Sequence, residues 1–359
     1  MRSGCTLLLT RQDVISVLTL EECIAAVENA FRLYAGGKTL PPKILGLHSH
    51  QGGFHIKAGI MELGTNYFVA KVNSNFPANR AQHDLPLIQG IIIVCDADNG
   101  QLAALIDSIE ITIVRTGAAT AVAAKYLSRA NSKTATICGC GNQGKVSLRA
   151  LMKVRNLETV YAFDMDEERA GLFANELSKE SGINVIAVND LAKATRQSDI
   201  CVTCTPSREP FLRPEYIQAG TFIAAVGADS EDKQELCTEL LATSKIVVDL
   251  AEQCEKIGEL HHALKAGQVQ LTDVYAELGE IIVGQKKGRT ADEEVIIFDS
   301  TGMALQDVAA AAIVYEKALE RGIGIKLNFN EEKKSDAGME RLKKNQEAIA
   351  ALTRFFPFR

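Results

Sequence analysis

The sequence has no clustered stripe of lysine and arginine. Its 39 basic and 45 acidic residues among 359 leave a formal net charge of −6. Without a basic face there is nothing to neutralise a phosphate backbone, so no nucleic-acid partner is expected. A long apolar run is missing too. The opening MRSGCTLLLTRQDVISVL is broken by Arg11, Gln12 and Asp13, too early for a secretory core or a membrane span, and a cytoplasmic protein without membrane attachment is expected. The six histidines include no HExxH or other ligand spacing, so no metal site is expected. There is neither an internal repeat nor a low-complexity tract, which excludes a repeat architecture.

What is present is the composition of a folded globular protein, 47% hydrophobic and 23% charged, over a length sufficient for two domains. Nine cysteines are an odd number and lie mostly in apolar segments (Cys95, Cys138, Cys201), as expected of reduced, buried thiols rather than a disulfide framework. Cys201 and Cys204 form a CxxC, and Cys138 and Cys140 a CxC. The CxxC lies in a strand-like run, DICVTCT, where residues three apart point to opposite faces and cannot easily share a metal.

The first third mixes a helix, LEECIAAVENAFRLYAGG, with short strand-like runs, GFHIKAGI, YFVAKVNS and GIIIVCDA, and reads as an α+β unit. From about Ser132 apolar strands alternate with amphipathic helices: TATICGCG, a helix to Lys153, TVYAFD, EERAGLFANELSKES, then NVIAVN, DICVTCT, GTFIAAVGAD and SKIVVDLA. This is the pattern of an α/β, doubly wound parallel sheet. The expected organisation is a nucleotide-binding domain at 120–313 inserted into a substrate-binding and dimerisation domain made of 1–119 and 314–359. The helix DVAAAAIVYEKALERGIG is expected to leave the former and pack on the latter. A charged linker then leads to a candidate amphipathic helix with Leu342, Ile349, Leu352 and Phe356 as contacts.

The strongest local signal is Gly139-Cys140-Gly141-Asn142-Gln143-Gly144, after the strand TATIC and at the start of the helix KVSLRALMKV. The first glycine permits a tight turn, the second lets a pyrophosphate approach the backbone, and the third packs helix against strand. The helix N-terminus offers free N–H groups to the phosphates. Asp164 closes TVYAFD about 20 residues further on, where a carboxylate bonds the ribose hydroxyls of NAD. Arg169 lies near enough to accept a 2′-phosphate, so NADP stays open.

At these residues the chain resembles the ornithine cyclodeaminase/μ-crystallin family, which also includes archaeal-type alanine dehydrogenases and imine reductases. The resemblance runs over nearly the whole chain through AKVNSN (70–75), VRTGAATAVAAKYL (114–127), ICGCGNQG (137–144), AVGADSEDKQEL (225–236), YAELGEIIVG (275–284) and DSTGMALQD (299–307). It implies a Rossmann domain, a homodimer formed through the N-terminal sheet, and an active site between the domains.

The resemblance also implies roles for particular residues. Lys71 and Arg115 match the pair that grips a substrate carboxylate, Arg115 with a planar fork suited to it. Lys43 falls near a further carboxylate-binding position. Asp229, at the carboxyl end of TFIAAVGAD, matches the catalytic aspartate. Its chemistry would be to attract the substrate ammonium, take its proton, and orient the water that attacks an imine. Read alone, Lys71 fits a solvent-facing strand lysine, Arg115 an arginine at a helix start, and Asp229 a helix N-cap before SEDKQEL. Further cofactor contacts implied are Asn142, Gln143, Thr205, Val226, Gly227, Lys233 and Ser300, while Glu277 and Glu280 recur without an assignable role.

His55 stands near the glutamate that recognises the distal amine in ornithine enzymes. A neutral imidazole is a poorer partner for an ammonium than a carboxylate is. The expected function is therefore an NAD(P)-dependent amino-acid dehydrogenase or imine reductase acting on a small amino or imino acid. Lys57 and His55 are candidates for an acidic side chain. Ornithine or lysine cyclodeamination with recycled NAD, and non-enzymatic binding of nucleotide and small ligand, stay open.

Overall fold

The computed structural model describes residues 5–328, so the candidate helix with Leu342, Ile349, Leu352 and Phe356 lies outside the described residues. Among the described residues, 5–6 and 326–328 form a small unit and Leu7–Ile325 the main body. In the small group Cys5 Sγ lies 2.8 Å from Asn328 Oδ1.

The first elements along the chain are β1 (Thr6–Leu9), α1 (Arg11–Val17) and α2 (Leu20–Ala35). Helix α2 is set locally. Thr19 and Glu22 form a capping box at its start, Cys23, Val27, Ala30 and Phe31 bury one face, and Gly36 ends it. An antiparallel meander follows: β2 (Lys43–Ser49), β3 (Gly52–Glu62), β4 (Asn66–Asn75), the short α3 (Asn79–His83), β5 (Ile88–Asp96) and β6 (Leu102–Asp107). The sheet runs β1-β6-β5-β4-β3-β2. Burial alternates along β3 and β4, so one face is covered and the other open.

Helix α4 (Ser108–Leu127) is capped by Asp107, whose side chain accepts from the Ile109 N–H, and is buried along most of its length. Its small residues let neighbours approach: a Cβ on Gly117 would sit 2.7 Å from Val146 Cγ2. The sequence expectation put a helix start at Arg115. The helix in fact begins at Ser108, because the β-branched run IEITIV reads as strand by propensity while burial holds it helical.

The second sheet is parallel throughout and alternates with helices: β7 (Thr134–Cys138), α5 (Asn142–Leu151), β8 (Thr159–Phe163), α6 (Glu167–Ser181), β9 (Asn184–Ala187), α7 (Leu191–Thr195), β10 (Ile200–Thr203), β11 (Phe222–Ala225), α8 (Thr238–Ala242), β12 (Lys245–Val248), α9 (Ala251–Cys254), α10 (Glu259–Lys265), β13 (Val274–Glu277), α11 (Leu278–Ile282) and β14 (Ile296–Asp299). Its order is β13-β12-β14-β11-β10-β7-β8-β9. The direction of winding reverses between β7 and β10, which opens a crevice at the carboxyl ends of these strands. Ile137, Val160, Ile200, Val202, Phe222 and Phe298 are fully buried, each contributing about 1.5–3 kcal/mol. The last helix, α12 (Ala304–Arg321), leaves β14 and packs on α2, β3 and β4, as its sequence led us to expect. Among the described residues no helix is long and apolar enough to cross a membrane.

Candidate active site

The glycine-rich turn joins β7 to α5. Gly139 has φ +105°, and a Cβ there would lie 2.9 Å from the Cys204 carbonyl oxygen. A Cβ on Gly144 would fall on the Gly139 carbonyl. Both therefore need glycine. Nothing lies within 4 Å of a Cβ position on Gly141, which has no side-chain cap over the α5 N-terminus. The Gln143 Oε1 atom beside it is buried without a partner. The turn thus has the open approach and free N–H groups that a pyrophosphate requires. Asp164 Oδ2 accepts from the Cys140 N–H at 2.9 Å, so the ribose-binding candidate stands next to this turn, with Arg169 Nη1 3.7 Å from its other oxygen.

Along the carboxyl edge, a buried carboxylate ties two loops together. Glu235 accepts from the Thr205 N–H (2.6 Å) and hydroxyl (2.7 Å) and from the Gly227 N–H (3.0 Å). Thr205 and Gly227 are thereby positioned from within. Val226 donates its N–H to the Thr203 carbonyl, continuing β11 toward Asp229. Lys233, expected at the cofactor, instead forms an ion pair with Asp229 at 2.6 Å. The Asp229 side chain stands at the crevice, 55% exposed. Crowding by the protein opposes its charge, but the ammonium groups of Lys233 and Lys57 outweigh this and hold the carboxyl well below the usual carboxylate range. It is a carboxylate across the physiological range, available to a cation or a proton.

Three cations converge on the covered face of the first sheet. Lys57 and Lys71 are direct partners across β3 and β4, and Arg115 comes from α4. All three are buried, at 7%, 3% and 6% exposure, where a lone charge is costly. A single carboxylate on α12 answers them. Asp307 lies 2.9 Å from Lys71 Nζ and 3.1 Å from Arg115 Nε. Arg115 Nη1 also donates to Gln306 Oε1 at 2.9 Å, while Lys57 Nζ donates to the carbonyls of Thr301 and Gly302 at 2.7 and 2.8 Å.

The excess of positive charge shows in the protonation of the group. Burial lowers Lys71 to about 7, with Arg115 and Lys57 repelling its proton and Asp307 opposing them. Lys57 is lowered by burial and by Arg115. Asp307 is held below the usual carboxylate range: burial resists its charge, and Lys71 and Arg115 overcome that resistance. Among the described residues Asp307 is the one carboxylate ion-paired within this cluster, with Asp229 and Asp249 acting on Lys57 at longer range, so the cluster is chemically disposed to take up a further carboxylate.

His55 is two residues before Lys57 and so shares its strand face. Burial lowers its imidazole while Asp229 opposes the effect, and its ring packs edge-on to His48. Lys43 is not brought to the cluster. It pairs with Ala58, out of phase with Lys57, and its exposed side chain shares no hydrogen bond or ion pair with the three cations among the described residues. Glu277 and Glu280 serve the backbone: Glu277 accepts from the Ala251 N–H and Glu280 caps Glu277.

Asp307, Glu235 and Asp249 were given no role from the sequence. Asp249 accepts from the Ser300 and Thr301 hydroxyls and the Gly302 N–H, which places Ser300 at a fixed turn. The signal for Asp307 was its setting, ALQDVAAAA: an acid inside an apolar helix must be buried and so must have a partner.

A family profile described as ornithine cyclodeaminase/mu-crystallin family matches residues 5–322. The chain is 41% identical over 326 residues to the alanine dehydrogenase of Archaeoglobus fulgidus, covering 90% of this chain and 98% of that protein. It superposes on an archaeal alanine dehydrogenase dimer with bound NAD with a TM-score of 0.87 at 39% identity, covering 91% of this chain and 100% of the other. It also superposes on the Thermococcus litoralis Delta(1)-pyrroline-2-carboxylate reductase in complex with NADH and L-proline, with a TM-score of 0.84 at 36% identity, covering 89% and 99%. On these matches, this protein belongs to the ornithine cyclodeaminase/mu-crystallin family.

Proposed function

We propose that the protein is an NAD-dependent oxidoreductase that interconverts a small L-amino acid and its imino or 2-oxo acid. The observation that carries this is the buried group of Lys57, Lys71 and Arg115 against the single carboxylate of Asp307, near the carboxylate of Asp229, whose charge acts on Lys57. An α-amino acid presents the complementary pair, a carboxylate beside an ammonium. Lys71 and Arg115 grip the carboxylate, and Lys57, with two of its three N–H donors held by carbonyls, has a third to offer. Asp229 attracts the ammonium, accepts its proton during oxidation and returns it during reduction. His55 borders the substrate side chain.

Residues 120–313 take the nucleotide and those before 120 the substrate. The fit for NAD rests on the open approach over Gly141, the close packing at Gly139 and Gly144, and Asp164 beside the turn. Asn142, Gln143, Thr205, Val226, Gly227 and Ser300 line the approach, and Lys233 reaches it by leaving Asp229. A nicotinamide held there would provide the redox partner for the substrate Cα, as NAD+ accepting a hydride or as NADH giving one. The open face of the first sheet carries Leu45, Leu47, Phe54 and Ile91, each more than a third exposed. Register places all four on the side away from Lys57 and Lys71, and a second copy covering them would make the homodimer. The nine free thiols suit a cytoplasmic enzyme.

The test is NADH oxidation with a panel of 2-oxo acids plus ammonia, and of cyclic imines, repeated with Asp229→Ala. Turnover that the variant loses supports the proposal. Ammonia release from ornithine or lysine with catalytic NAD would replace it with cyclodeamination. Altered NADH fluorescence without any turnover would leave a binding protein.

A further inference from the structure

Lys57 is a buried cation whose hydrogen-bond acceptors are two backbone carbonyls, Thr301 O and Gly302 O. Its position is therefore set by the turn between β14 and α12. That turn has no freedom to accommodate a side chain. Gly302 has φ +82°, and a Cβ there would lie 2.6 Å from Arg115 Nη1 and 3.2 Å from Lys57 Nζ, so the backbone itself fills the space between the two cations.

The turn is fastened from its far side by Asp249, which follows β12 and is fully buried. Its Oδ2 accepts from the Gly302 N–H at 2.7 Å and the Ser300 hydroxyl at 3.1 Å. Its Oδ1 accepts from the Thr301 hydroxyl at 3.1 Å and the Leu250 N–H at 2.8 Å. Gln253 supports the same turn by donating to Thr301 Oγ1 at 2.7 Å.

We propose that Asp249 is a positioning residue for the substrate grip: it fixes the turn 300–302, whose carbonyls hold the Lys57 ammonium beside Arg115. Asp249 holds no hydrogen bond to Lys57 itself; it acts through that turn, and its charge also favours the Lys57 ammonium. An apolar residue would only remove a support. Asparagine is more informative, because an amide in either orientation presents N–H to a backbone N–H: facing Gly302 it pushes the turn away, and facing Leu250 it gives up the bond that anchors the residue itself. Charge-assisted bonds of this kind are about twice as strong as neutral ones.

The inference rests on the role proposed above for Lys57, and a double-mutant cycle separates the two. D249N is expected to raise the KM for the imino or 2-oxo acid by about tenfold or more, K57M by a similar factor, and the double variant no further than the worse single one, with kcat changed less than threefold in D249N. Multiplying losses, or an unchanged KM in D249N, would overturn the inference. An unchanged KM in K57M would overturn the role of Lys57 as well. If D249N does not fold, Thr301→Val, which removes one bond to Asp249 at constant volume, is taken through the same cycle. A crystal structure of either variant decides the point without turnover: Lys57 Nζ displaced from both carbonyls supports the inference, and an unmoved turn refutes it.

Discussion

Replacing Asp307 with asparagine isolates the charge that balances the cation cluster, since volume and one acceptor are kept. At an effective dielectric of about 20, unit charges at the 2.9 Å and 3.1 Å separations to Lys71 and Arg115 attract by about 6 and 5 kcal/mol. Desolvation of the buried partners offsets most of this in the intact protein. In the variant the attraction is gone while the cations remain buried, and losing one partner of such a pair costs about 3–5 kcal/mol. The cluster has an escape, however. Lys71 is lowered to about 7 even with Asp307 present, and without it the proton leaves more readily still. The destabilisation should therefore be largest near pH 6, where Lys71 is charged in the native protein, and smaller near pH 9, where it is neutral with or without Asp307. Urea unfolding of both proteins at the two pH values measures it. A loss below about 1 kcal/mol at pH 6, or one that does not change with pH, would show that Asp307 does not neutralise the cluster.

The same titration governs activity. The folded protein lowers Lys71 from 10.5 to about 7, so its positive charge is present below that pH and lost as pH rises through it. The kcat/KM for a carboxylate substrate should decline above about pH 7, and Lys71→Arg should move the decline upward; a profile that Lys71→Arg leaves in place would assign the decline to another group. Between pH 7 and 10.5 the unfolded chain binds a proton that the native one does not, so this group's contribution to stability rises with pH. Glu235→Ala leaves the Thr205 and Gly227 N–H groups without their acceptor, at about 1–3 kcal/mol each. NADH affinity, followed by fluorescence titration, should weaken about tenfold, and an unchanged Kd would separate these loops from the cofactor.

The elements most legible in the sequence were those specified locally. The apolar spacing and closing glycines of α2, the glycine turn after β7 and the alternation of β8, β10 and β11 each carry their instructions within a few residues. Arg115 was found, but its helix was entered seven residues late, because Ile109, Ile111 and Thr112 favour a strand until tertiary packing decides otherwise. What escaped was pairing over distance. Asp307 meets Lys71 236 residues away, and no local pattern links DSTGMALQD to AKVNSN. Lys43 and Lys57 show the same limit. Both are strand lysines in the first third of the chain, and it is the register of β2 against β3, a property of two segments together, that sends only Lys57 to the covered face.

Three buried cations with one carboxylate ion-paired among them are a poor arrangement for stability alone, since Arg115 lowers the proton affinity of both Lys57 and Lys71, and Lys57 that of Lys71. It persists because the fold around it is fixed by other means: Lys57 and Lys71 by the β3–β4 ladder, Arg115 by a helix buried along most of its length, and Asp307 by a helix packed against that sheet. A carboxylate entering this group adds the missing negative charge, so substrate binding and native stability are linked. The stabilisation by ligand should exceed what its contacts alone provide by the repulsion it relieves. The linkage also has a direction. Binding raises the proton affinity of Lys71, so the protein should take up protons when it binds a carboxylate above pH 7 and take up almost none at pH 6. Calorimetric titration in buffers of different ionisation enthalpy reads that number directly, and equal uptake at both pH values would mean that the pocket's charge is set before the substrate arrives.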